Sequence, residues 1–125
     1  MTRQKVRKLI ENYTKGWIKN DFNLIISTLS PNCKIIESHG PVYKGFIKIK
    51  SWINSWINSG SYVTKWDITS FYFIKNTAFF EWYFECVVDN KKHKLEGISV
   101  VKFKDNKISF IREYRTTKQL FDWKR

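Results

Sequence analysis

The chain has 125 residues, 42% of them hydrophobic and 18% aromatic, and a formal net charge of +12 at pH 7. That length suits one domain, 1–125, and is too short for two ordinary ones. The apolar content excludes intrinsic disorder, and no run is long and apolar enough to span a bilayer, so no membrane partner is expected.

Residues 1–10 lack the apolar core of a secretory signal, which makes the cytoplasm the expected location. A basic surface attracts phosphates in a salt-dependent way. Here, however, the 18 Lys and 5 Arg are scattered from Arg3 to Arg125 and form no run. Abundant Lys, Ile and Asn also match AT-rich codon usage, so no specific nucleic-acid partner is expected. Cys33 and Cys86 sit in apolar runs with no His or Cys at ligand spacing. They read as two reduced, buried small hydrophobes, and no metal or other cofactor is expected.

The first helix runs from about Thr2 to Lys19, with Val6, Leu9, Ile10, Tyr13 and Trp17 on one stripe. Asn20 and Asp21 can cap a short second helix facing inward through Phe22, Ile25, Ile26 and Leu29, stopped at Ser30-Pro31. A short strand, 34–38, turns at Gly40-Pro41 into Val42-Tyr43. A third helix carries Ile49, Trp52, Ile53, Trp56 and Ile57 and ends at Ser59-Gly60. Lys75-Asn76, Asp89-Asn90 and Asp105-Asn106 are turn pairs separating four β-rich runs of about a dozen residues. The fold class is therefore α+β: three N-terminal helices packed on a strongly bent, mostly antiparallel sheet.

Register decides which side chains face the helices. A two-residue turn at Asp89-Asn90 sets Phe84 opposite Leu95 and Trp82 opposite Gly97, an indole beside a residue with no side chain. The last hairpin has two solutions. A two-residue turn sets Val101 opposite Phe110, whereas a three-residue loop with Asn106 left-handed sets Val101 opposite Ser109. The second places Ile111, Glu113 and Arg115 on the face of Ser99 and Gly97.

The order of helices and strands, with the segments ESHGPVYKG, EGISVVKF and ISFIREY, resembles the SnoaL-like branch of the nuclear transport factor 2-like superfamily. The resemblance covers nearly the whole chain and implies a cystatin-like cone of bent sheet and three helices. The superfamily includes ketosteroid isomerases, polyketide cyclases, epoxide hydrolases, dehydratases and many proteins without catalysis, so the fold alone does not fix the chemistry. By this resemblance Tyr13 matches the oxyanion-hole tyrosine of the isomerases and Glu37 their general base. Ser99 stands where they have a second, acidic oxyanion donor. Cyclase-type members use an Asp on the last strand, where this chain has Glu113-Tyr114-Arg115. The resemblance also favours the bulged last hairpin and a homodimer.

The expected cone interior holds Tyr13, Trp17, Glu37, His39, Trp52, Trp56, Phe80, Trp82, Phe84, Ser99, Val101, Ile111, Glu113 and Arg115. It is aromatic with a few polar groups, suited to a small hydrophobic or aromatic molecule. Glu37, poorly solvated among indoles, is the candidate general base. Tyr13 could donate to an oxyanion, and His39 could relay the proton. Alternatively, Glu37 pairs with Arg115 and His39 is a surface turn residue. Glu113 and Arg115 could orient a polar ligand or neutralise one another. Three functions remain open: an isomerase-, cyclase- or dehydratase-type enzyme acting on a small hydrophobic carbonyl compound, a non-catalytic binding protein, or a structural homodimer.

On the opposite sheet face, Trp66, Ile68, Tyr72, Phe79, Tyr83, Ile98, Val100, Phe110 and Tyr114 are expected to point outward. So much apolar area suggests a homodimer packed through that face. The tail Leu120-Phe121-Asp122-Trp123 could join the interface or close the cone mouth.

Overall fold

The computed structural model describes residues 1–124. Helix α1 spans Arg3–Ile18, and its N-cap Thr2 accepts a hydrogen bond from the Lys5 amide. Val6, Ile10, Tyr13 and Trp17 form its buried stripe. Gly16 brings α1 against the next helix so closely that an added Cβ would lie 2.7 Å from an Ile25 side-chain carbon. That helix, α2, is the single stretch Phe22–Ser27, capped by the Asp21 carboxylate.

The chain then enters strand β1, Leu29–Ile36, followed by β2, Val42–Lys44. Ser30-Pro31 therefore lies inside a strand instead of stopping a helix. The β1 ladder breaks between Leu29 and Lys34, which leaves Pro31, with no amide proton to give, where none is needed. Helix α3, Gly45–Asn58, buries Ile49 and Ile53. Four long strands complete the chain: β3, Tyr62–Ile74; β4, Thr77–Val88; β5, Lys91–Lys104; β6, Lys107–Arg115. All three hairpins turn on two left-handed residues, with φ of 47° and 64° at Lys75-Asn76, 51° and 61° at Asp89-Asn90, and 52° and 63° at Asp105-Asn106. Positive φ at both centres is the turn that matches strand twist, and Asn and Asp tolerate it best.

The strands form one sheet in the order β2-β1-β6-β5-β4-β3, antiparallel except for β1 against β6. The core lies between its concave face and the helices, with Ile10, Ile25, Ile35, Ile49, Ile53, Ile108 and Ile111 buried to 1% exposure or less.

Bulges bend the sheet and reset its faces. Trp82 pairs with Gly97 and Phe84 with Leu95, as the two-residue turn requires. The last hairpin follows neither expected pairing: Val101 pairs with Ile111. Its turn has two residues, and the extra residue sits within β6, between Phe103↔Ile108 and Lys102↔Phe110. The face expected from the bulged alternative is kept, with Ser99 opposite Glu113 and Gly97 opposite Arg115. Strand β3 carries two further shifts, between Val63 and Lys65 and between Ile68 and Ser70. Each shift exchanges the faces. Trp66 and Ile68, expected outside, are therefore packed against the core.

Candidate functional site

A cavity of about 640 Å³ of free space, open mouth included, lies between α1, α3 and the concave sheet face. Helix α1 supplies Tyr13 and Trp17, and α3 supplies Trp52 and Trp56, each pair at helical spacing. The sheet contributes Ile35 from β1, Val63 and Trp66 from β3, Trp82 and Phe84 from β4, Leu95 from β5 and Glu113 from β6. Glu37 and Ser38 complete the wall from the turn after β1.

The aromatic walls brace one another. Trp17 lies 4.8 Å from Trp52 and meets Trp56 edge-on at 84°; Trp66 meets Trp82 at 82° and Phe84 at 87°. Edge-to-face contacts favour fixed ring orientations and so a preformed cavity. Trp56 and Trp66 each keep a buried indole N–H with no hydrogen-bond partner among the described residues.

Glu113 is the chemical centre. The Trp82 indole N–H donates to Ser99 Oγ at 2.8 Å, and the Ser99 hydroxyl donates to Glu113 Oε2. An indole nitrogen can only donate, so the serine's single proton is committed to the carboxylate. A proton taken up by Glu113 therefore resides on its other oxygen, Oε1. Burial pushes the Glu113 carboxyl up to about 7; the Glu37 charge adds to the rise, while the Ser99 and Trp82 hydrogen bonds oppose it. Tyr13 stays a phenol, its acidity suppressed first by burial, then by the Glu113 charge and, more weakly, that of Glu37.

Glu37 occupies a different environment. Its side chain is 27% exposed and accepts a hydrogen bond from the Tyr43 hydroxyl at 2.7 Å. Tyr43 in turn stacks on Trp52, with centroids 4.3 Å apart and planes at 9°. The Tyr43 phenol is raised by burial and then by Glu37. Glu37 is thus a partly hydrated carboxylate fixed at the edge of the aromatic wall, and Glu113 takes the desolvated position expected for it.

Of the expected lining residues, Tyr13, Trp17, Glu37, Trp52, Trp56, Trp82, Phe84 and Glu113 do converge on the cavity. His39 does not: β1 ends at Ile36, strand alternation stops, and the imidazole turns outward with 58% exposure, 4.0 Å from Glu37. Arg115 is exposed at the end of β6, beside a separate surface cleft with Thr116, Lys118 and Leu120. It therefore neither lines the pocket nor pairs with Glu37. Phe80, Val101 and Ile111 are buried core beneath the cavity floor, and Ser99 reaches the site only through Glu113. Trp66 and Tyr43 were missed. Tyr43 was accessible from pairing, because it stands opposite Ile35 and shares its face; Trp66 was hidden by the β3 bulges.

No family model matches the chain, and no curated protein matches it in sequence. Solved structures do match. An LEH-like epoxide hydrolase from M. tuberculosis superposes with a TM-score of 0.81 at 11% identity, over 90% of this chain and 84% of that one. A protein of unknown function with a cystatin-like fold from Methylobium petroleophilum gives 0.74 at 22% identity, over 100% and 84%. An NTF2-like protein from Burkholderia xenovorans gives 0.75 at 11% identity, over 94% and 93%. The chain has the cystatin-like cone of the nuclear transport factor 2-like proteins, and its pocket lies on the concave side of that cone.

Proposed function

We propose that the protein is a small-molecule enzyme of isomerase, cyclase or dehydratase type, moving a proton on a hydrophobic carbonyl compound. Glu37 takes the proton from the carbon beside the carbonyl. The negative charge that develops on oxygen is met by the Tyr13 hydroxyl and by the acid form of Glu113. The proton then returns from Glu37 to another position of the conjugated system.

One observation carries this reading: a carboxyl raised to about 7 stands in an aromatic cavity beside a phenol and a second carboxylate. Two carboxyls whose surroundings differ in this way divide into an acid and a base. Donors fixed in a poorly hydrated site oppose developing charge without reorganising. Ser99, at the position of the isomerases' acidic donor, hands that place to Glu113 on the paired strand.

The test is solvent deuterium uptake by a panel of cyclic ketones. Glu37→Gln should slow uptake by about 10²–10⁴-fold, the usual worth of a positioned base, while leaving ketone binding intact. Binding with no uptake by the unaltered protein would replace catalysis by carriage of the ligand. The convex sheet face supports a second element of the proposal, a homodimer, since Tyr72 and Tyr114 remain 60% and 46% exposed there.

A further inference from the structure

The proposed chemistry fixes the polarity of a carbonyl but not the overall charge or hydrogen-bonding character of the molecule that carries it. Two features of the cavity decide these. The first is its ionisable groups. Although 23 of the 125 residues are Lys or Arg, none of the thirteen lining residues is basic. The ionisable lining groups are Tyr13, Glu37 and Glu113. An anionic ligand would meet two carboxyls and no counter-charge, against the direction suggested by the basic surface.

The second feature is the pair of indole N–H groups of Trp56 and Trp66, one from α3 and one from β3, buried without partners among the described residues. A buried donor left unpaired is costly, and native proteins leave few. Both belong to side chains of the cavity wall, where an acceptor atom on a ligand would satisfy them. A cationic ligand offers donors instead, and donors already crowd this wall.

We infer that the pocket takes an uncharged, flat hydrophobic molecule bearing acceptor oxygens of the ketone or lactone kind, bound by the Trp56 and Trp66 indole N–H groups, and that it rejects carboxylates and ammonium ions of the same size. The inference rests on the pocket assigned above and deepens that reading by giving the charge class of its substrate.

Three probes of nearly equal shape separate the possibilities: acetophenone, benzoate and benzylammonium. Binding to the full chain at pH 7.5 is followed by the indole N–H signals, assigned with Trp56→Phe and Trp66→Phe. Acetophenone should move both signals downfield, and the two ions should bind at least ~10-fold more weakly, about one unit of log Kd. Each Trp→Phe substitution should weaken acetophenone without helping benzoate. The inference fails if either ion binds as tightly as the ketone, or if neither indole signal moves at saturation. Because only binding is read, its failure is distinct from that of the proton-transfer reading, which is decided by deuterium uptake.

Discussion

Glu113 exchanges a proton close to neutral pH because its carboxylate is desolvated, and this ties folding to pH. Its folded value of about 7 lies above the model value of 4.5, so the native state holds a proton that the unfolded chain has released. The sign follows directly: the contribution is fully present below about pH 4.5 and is lost as pH rises through about 7. A shift of that size corresponds to about 3 kcal/mol at most. Urea unfolding should show the unaltered protein losing stability from pH 5 to pH 8, beyond the loss shown by Glu113→Gln. A neutral amide keeps the shape and can still accept from Ser99, so the variant should match the parent at pH 5 and exceed it at pH 8. Equal pH slopes would place Glu113 in a hydrated environment. Ser99→Ala removes the bond that favours the ionised form, so the carboxyl's titration should move to still higher pH, as read by its carbon chemical shift.

At the scale of strands, the Trp82–Gly97 pair shows why the middle of the sheet is readable from sequence. An indole needs room across the ladder, and only glycine provides it. A Cβ on Gly97 would lie 2.7 Å from two ring carbons of Trp82 and 2.0 Å from the Tyr114 carbonyl oxygen. Gly97→Ala should therefore destabilise the fold by about 3 kcal/mol and shift the Trp82–Ser99 bond, which thermal unfolding and indole fluorescence can measure. Turn pairs with left-handed φ announce the hairpins in the same local way, through Asn and Asp. Bulges announce themselves far less. The shifts in β3 have no glycine or proline to mark them, and alternation alone sent Trp66 to the wrong face. The end of β1 is similar: His39 continues the strand's parity in sequence, yet the turn begins at Glu37 and releases it. The cavity's aromatic walls were legible because helical stripes and strand parity are local. Which carboxyl is desolvated was not, since that depends on how three bulged strands and two helices close over one point.

The whole molecule presents two surfaces of opposite character. Among the described residues no helix is long and apolar enough to cross a membrane. Its cations are distributed over elements from both ends of the chain, and some are occupied with aromatic rings. The Lys102 ammonium lies 5.4 Å from the Phe110 centroid and the Arg112 guanidinium 4.9 Å from that of Tyr114, both on the convex sheet face. These contacts cover part of the apolar area that Phe79, Tyr83, Ile98, Val100, Phe110 and Tyr114 would otherwise show to water. A partner copy can still pack there, because long cationic stems pivot aside and leave their rings to meet rings of the other copy. Pairing then costs the cation contacts, worth only about 0.5–1 kcal/mol each at exposed sites, and gains the burial of the aromatic faces. The proposed dimer should therefore strengthen with added salt, which screens the repulsion between two chains of charge +12. Sedimentation at micromolar concentration should find a species of twice the chain mass, more so at 0.5 M than at ~0.05 M salt. Phe110→Glu combined with Tyr83→Lys should yield the single chain at both salts with pocket binding retained, because neither residue touches the cavity. A single-chain species from the unaltered protein at both salts would remove the dimer and leave the convex face as a surface shielded by its own lysines and arginines.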